Sequence, residues 1–161
     1  MFFGNYIPET AVLVLLAGLA ILAFLDIRRR EVDGSATAVL GAALAVILVR
    51  EPLEASQWIS GFASALVAFA FYLERGRRGR MGGGDVKLVA IPAFILGVIH
   101  PLLAAWGIFV LIFGVQMAVR LVHTLATRAT KSTTPEPLPH VPAMFAGTAI
   151  ALLSTGALTL L

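Results

Sequence analysis

Apolar residues in this chain fall in long unbroken runs separated by short polar segments. Six runs stand out: Ile7–Leu25, Ala36–Val49, Trp58–Leu73, Val86–Ile99, Leu102–Val119 and Pro142–Leu161. A helix needs roughly 20 residues to cross the hydrocarbon core of a bilayer. The second and fourth runs have 14 residues each. They can extend through polar ends such as Asp33-Gly34-Ser35, because mismatch costs only fractions of a kcal/mol per Å. Pro92 is expected to kink the fourth run, since it lacks an N–H and crowds the preceding turn. His100-Pro101 reads as the turn between the fourth and fifth. The first run opens on Pro8-Glu9-Thr10 and closes on Asp26. It has no basic region before it and no small-residue cleavage site after it, so it does not read as a removable signal. The pattern predicts an all-α, polytopic membrane bundle of about six transmembrane helices.

Composition agrees. Of 161 residues, 59% are hydrophobic and only 13% charged, against about 25% charged in ordinary soluble domains, and the mean hydropathy is +0.93. The length fits one integral-membrane domain spanning 1–161. The absence of cysteine excludes disulfides, Cys-ligated zinc and a thiol nucleophile. Charge then orients the bundle. Arg28, Arg29 and Arg30 follow the first run, Arg75, Arg77, Arg78, Arg80 and Lys87 surround the loop after the third, and Arg120, Arg128 and Lys131 follow the fifth. Eleven of the twelve basic residues thus lie on one side and only Arg50 on the other. Basic loops stay in the cytoplasm, so both termini are expected outside the cell's inner membrane and the odd-numbered loops inside. The net charge of +3 then reflects topology and attraction to anionic lipid, not nucleic-acid binding.

The chemistry gathers at Met81-Gly82-Gly83-Gly84-Asp85-Val86-Lys87-Leu88. Three glycines deliver a carboxylate to the start of an apolar run. Asp85 could simply cap a helix, but a cap does not need three glycines, which add chain entropy. They would permit close approach by another backbone, such as a bound peptide. Asp26, at the end of the first run, is expected at the same cytoplasmic depth. Two neighbouring carboxylates do not both ionise readily, so one keeps a proton. The ionised partner can then take a proton from water while the other polarises a carbonyl. Alternatively Asp26 only pairs with Arg28, Arg29 or Arg30, a contact worth about 0–1 kcal/mol when exposed. A small ion- or proton-coupled transporter could use the same carboxylates, although such sites usually lie near the midplane, at broken helices of related halves, and no internal repeat is visible.

Other candidates carry less. His100, His123 and His140 fall in different places without the i, i+4 spacing of a helical metal site, so no metal centre is expected. The glycine run lacks the Gly-Lys-Ser/Thr of a phosphate loop. Trp58 and Trp106 read as interface or packing aromatics. Thr127–Pro139, rich in Thr and Pro, reads as a flexible cytoplasmic connector.

Asp26-Ile27-Arg28-Arg29-Arg30-Glu31-Val32 after a first span, followed by Gly82-Gly83-Gly84-Asp85-Val86-Lys87-Leu88 opening a fourth, resembles the type IV prepilin peptidases, which are GxGD-type aspartic membrane proteases. The likeness in order and spacing covers nearly the whole chain. It implies Asp26 and Asp85 as the catalytic pair, Gly82 and Gly84 as the motif glycines and Lys87 as a nearby supporting cation. By its charge a lysine two residues beyond Asp85 would lower that carboxyl's pKa, unless it only anchors the helix end at the lipid headgroups. It further implies a pilin-like precursor as substrate, cleaved between its basic leader and its apolar helix at the cytoplasmic boundary. Water would attack directly, with no acyl-enzyme and no cofactor or metal. Pro139-His140-Val141-Pro142-Ala143 is similar to the start of the family's final helix, most like the short peptidases of tight-adherence pilus systems. Two departures stand out. Val32-Asp33-Gly34 replaces the family's common Ile-Pro-Asn, which bears on the local turn and its substrate contacts. The paired-cysteine region of bifunctional members has no counterpart, so a peptidase without the methyltransferase-associated region is expected.

Overall fold

The computed structural model describes residues 9–29, 32–79, 81–130 and 140–154. The start of the first run at Ile7, the end of the last run at Leu161, and Arg30, Arg80 and Lys131 lie outside the described residues. Long apolar runs become helices because a bilayer offers no partner for backbone N–H and C=O groups, which must therefore pair within their own segment. Helix α1 covers Glu9–Arg29, α2 Gly34–Val49, α3 Ala55–Arg77, α4 Gly83–Leu88, α5 Ala90–Ile99, α6 Pro101–Ala105, α7 Phe113–Thr130 and α8 Val141–Ser154. A π-helical segment, Trp106–Ile112, joins α6 to α7. Because α4 runs into α5 and α6 into α7, the described residues form six rods, the all-helical membrane bundle the sequence predicts. Glu9–Arg29, Ala55–Arg77 and Pro101–Val119 are long and apolar enough to cross a membrane; α2 and the described part of α8 are shorter apolar helices.

The bundle is apolar outside as well as inside. Phe24 and Ile21 on α1, Val39 and Val49 on α2, and Ile59 and Leu66 on α3 are all more than half exposed. An apolar surface of that extent belongs against lipid, not water. Inside, Leu15, Leu19, Leu88, Leu96, Ile112 and Met144 are fully buried. The closest packing uses small residues, as between helices in lipid. A Cβ on Gly97 of α5 would lie 2.9 Å from the Ser60 carbonyl of α3, and the Ser60 hydroxyl donates to the Gly97 carbonyl at 2.6 Å. On the other side, α8 packs on α1 and on the π segment. A Cβ on Gly147 would lie 2.8 Å from the Ile112 nitrogen.

Breaks between rods follow local chemistry. Asp33 caps α2, accepting the Ser35 N–H and hydroxyl at 2.8 Å each. Those bonds hold its exposed carboxyl below the usual range. The divergent Val32-Asp33-Gly34 is therefore a helix start with its own cap. Just past the end of α3 and its C-cap Arg78 comes Gly79, whose φ of +66° favours glycine. The fourth run is interrupted at Val89, three residues before Pro92, whose missing N–H leaves the Leu88 carbonyl without its usual donor. His100 is extended and Pro101 opens α6, making the expected turn. One boundary differs from expectation: Thr127–Thr130 continues α7 instead of beginning a loop. The residues from 131 to 139 lie outside the described part. Trp58 packs against Phe62 and Phe94, while Trp106 is about half exposed.

Candidate active site

Asp26 stands one turn from the end of α1 and is 5% exposed. Its Oδ2 accepts the Val141 N–H at 3.0 Å, across 115 residues of chain. Local sequence makes that donor available. The first N–H groups of a helix have no intrahelical acceptor. At the start of α8, Pro142 has no N–H, and the His140 carbonyl takes those of Ala143 and Met144 at 3.0 and 3.1 Å. The Val141 N–H is left over, and Asp26 accepts it.

Asp85 is brought to the same place by the glycine run. Gly82 is the N-cap of α4, with φ −70° and ψ 149°, so Asp85 falls at the third helical position, where an acid can reach back to the N-cap backbone. A hydrogen bond from the Gly82 backbone to the carboxyl does this. Gly84 has a steric reason to be glycine: a Cβ there would lie 2.6 Å from the Val32 Cβ and 2.7 Å from the Val32 carbonyl oxygen. The approaching backbone is thus the chain's own segment after Asp26, where a bound peptide was the expectation. Gly83 has open space around it.

Asp85 lies just before the fourth apolar run, with Oδ1 buried and without a hydrogen-bond partner. Burial first, and then the charge of Asp26, push its pKa up from 3.8 to about 6, against the Gly82 hydrogen bond. Each carboxylate therefore sits within the field of the other. One of them has a donor waiting and the other is short of one.

Two side chains that sequence reasoning did not place in the site complete it. The buried Tyr72 hydroxyl of α3 and the Nε2 of buried His140 are 3.0 Å apart. Phe113 flanks both rings, at 5.7 Å from Tyr72 and 6.3 Å from His140. Arg75, one turn beyond Tyr72, lies over the Phe113 ring at 4.9 Å. Tyr72 falls inside an apolar run and carries no motif. His140 reads in the sequence as one of three scattered histidines, and its place at the start of the last helix is the available signal.

Lys87 is exposed, and the influences that shift Asp85 are burial, Asp26 and Gly82. Solvent screens an exposed charge, so the structure offers no support for Lys87 as a tuning cation. Among the described residues no group of three or more His, Asp or Glu side chains comes together as a metal site.

These features define a polytopic helical membrane protein with two coupled carboxylates at one end of its bundle, contributed by α1 and α4. Residues 13–122, which include both aspartates, match the type IV leader peptidase family, and the chain belongs to that family. It is similar to a prepilin leader peptidase/N-methyltransferase of Bacillus subtilis (strain 168), 31% identical over 155 residues that cover 94% of this chain and 58% of that protein. The chain therefore spans less than two thirds of that relative's length. No solved structure matches it.

Proposed function

We propose that this chain is an aspartic endopeptidase that removes the basic leader from pilin-like precursors at the cytoplasmic face of the inner membrane. The observation that carries the reading is the meeting of two carboxylates from separate segments: Asp26 is buried at the end of α1, and its charge raises the pKa of the mostly buried Asp85 at the start of α4. Family membership supports the peptidase class, and the name of the Bacillus relative supports a prepilin as substrate.

The geometry favours a division of labour within the pair. The proton resides on Asp85, whose burial and short supply of donors disfavour charge. Asp26, with the Val141 N–H on Oδ2, is the ionised member. Asp26 takes a proton from the attacking water as its oxygen adds to the peptide carbonyl. Asp85 gives its proton to the developing oxyanion, so charge does not accumulate there. Collapse of the tetrahedral intermediate passes the proton on Asp26 to the leaving amine nitrogen and returns a hydroxyl proton of the intermediate to Asp85, so the pair ends as it began. Orientation follows the basic residues. Arg28, Arg29, Arg75, Arg77 and Arg78 stand at the ends of α1 and α3 that carry the site, and positive charge marks the cytoplasmic side. A precursor with its basic leader in the cytoplasm and its apolar helix in the bilayer would present the junction at that depth.

The test is cleavage of a candidate precursor in membranes, read as a leader-sized mass loss. Asp26→Asn and Asp85→Asn each keep shape and membrane abundance but lose processing by about 10²–10⁴-fold, the range of acid–base catalysis. Asp33→Asn, still a good cap, and Glu74→Gln, which gives up only an exposed 2.8 Å pair with Arg78, retain activity. Substantial turnover by either dyad variant would remove that aspartate from the mechanism.

A further inference from the structure

Between the two aspartates runs a connection that the chemistry above does not use. Tyr72 of α3 is fully buried and feels the charges of both Asp85 and Arg75. Its hydroxyl meets the His140 Nε2 at 3.0 Å. His140 directly precedes Val141, whose N–H is held by Asp26. We infer that the Tyr72–His140 hydrogen bond is the clasp that aims Asp26, which makes both side chains positioning residues for the dyad. The inference rests on the peptidase reading for its kinetic consequence, but its structural content stands on the contact alone.

The argument starts from the first turn of α8. A helix start is held only by whatever takes its free N–H groups and by side-chain contacts. Here the N–H groups offer little, because Pro142 has none and Val141 has Asp26 as its acceptor. Packing of the buried Val141, Ala143 and Met144 holds this turn in the core, and the His140 side chain adds the polar contact beside it that fixes where the Val141 N–H points. Packing alone would be served by an apolar ring among Tyr72 and Phe113. A buried hydroxyl–imidazole contact adds direction, which packing lacks, and a polar pair that loses one member leaves the other unsatisfied. The contact ties α8 to α3, which packs on α4 at Gly76, where a Cβ would lie 3.0 Å from Val86. Asp26 is thus referenced to the helix that bears Asp85.

Single-turnover cleavage and amide exchange in lipid nanodiscs test the clasp together. Tyr72→Phe removes only the hydroxyl and keeps the ring contacts. It lowers the cleavage rate constant about tenfold with KM within about twofold, which corresponds to ~1.4 kcal/mol and lies within the range of side-chain hydrogen bonds between membrane helices. His140→Leu does the same. The double variant is no worse than the poorer single one, because partners in one contact do not add. His140→Gln, whose amide can occupy the Nε2 position, recovers most of the rate. Exchange of the Val141 amide, read by NMR, rises about tenfold in Tyr72→Phe and returns toward wild type in His140→Gln. A Tyr72→Phe rate equal to wild type, multiplying losses in the double variant, or a change confined to KM would overturn the inference. So would an unchanged Val141 exchange rate. Should Tyr72→Phe fail to insert, the comparison of His140→Gln with His140→Leu asks the same question. If the wild-type chain cleaves no precursor, the peptidase reading fails, while the exchange measurement still decides whether the clasp exists.

Discussion

Gly84→Ala is the sharpest single perturbation of the site. The added methyl would lie 2.6 Å from the Val32 Cβ and 2.7 Å from the Val32 carbonyl oxygen. Ordinary contact distances between such atoms are about 3.5–4.0 Å, so the two segments must separate by roughly 1 Å. Backbone stands on both sides of the contact, so no side-chain rotation relieves it. Overpacking of this kind costs about 1–3 kcal/mol, and the better helix propensity of alanine offsets it by at most about 1 kcal/mol. The larger consequence is geometric. Asp85 follows Gly84 directly, and Val32 follows Asp26 by six residues, so separating the segments separates the carboxylates. A misplacement of about 1 Å can cost on the order of 10²-fold in rate. Gly83→Ala is the matched control: its Cβ meets nothing within 4 Å, and the same gain in helix propensity applies. Cleavage per mole of folded protein should therefore fall about 10²-fold for Gly84→Ala and stay near wild type for Gly83→Ala. Equal activities would refute the claim that the Gly84–Val32 approach sets the dyad.

Further outcomes follow from the same geometry. In the free protein the singly protonated dyad is lost as pH rises through about 6, the value to which Asp85 is raised, so cleavage should decline on that limb. The stability sign is the same. A carboxyl raised from 3.8 to about 6 binds its proton more tightly folded than unfolded, so stability is greatest below the unfolded value and falls by about 2 kcal/mol between pH 4 and 6. Thermal unfolding should show that slope in the wild type and lose most of it in Asp85→Asn. A reporter active only in the cytoplasm should work when fused after Arg78 or Lys131 and be silent at Glu54; the reverse pattern would move the dyad to the other face. Lys87→Met should leave the pH limb in place and act on abundance, because an exposed lysine anchors at headgroups; a shifted limb would restore Lys87 as a tuning charge.

The rods were readable from the sequence because lipid imposes one rule on every residue of a span, and runs of that length satisfy it only as helix. Helix ends were less readable. Polar residues such as Glu74, Arg75 and Arg77 extend α3 past the apolar run, and α7 continues to Thr130 through residues that look like loop by composition. Asp26 and Asp85 were legible as candidates because a carboxylate at a membrane boundary stands out against an apolar background. The role of Gly84 was legible only in part. Sequence showed the need for close approach but not that Val32 makes it, since that contact depends on how the connection between α1 and α2 meets α4. Tyr72 and His140 were invisible as a pair: one is an aromatic in an apolar run, the other a lone histidine, and their 68-residue separation leaves no local pattern.

The π segment between α6 and α7 has a bearing on how such a chain tolerates changes in length. A π turn holds about one residue more than an α turn over the same rise. The start of the segment is fixed at Gly107, whose Cβ would meet Leu96 and Ala151, and the rod just beyond it by Phe113 beside Tyr72 and His140. Losing one residue between Gly107 and Ile112 closes the wide turn to an ordinary one and leaves both anchorages in phase. Losing one from α8 has no such absorber: it would turn Val141 about 100° from its partner. The fifth rod thus contains a built-in expansion joint, and the last rod, which carries the donor to Asp26, does not.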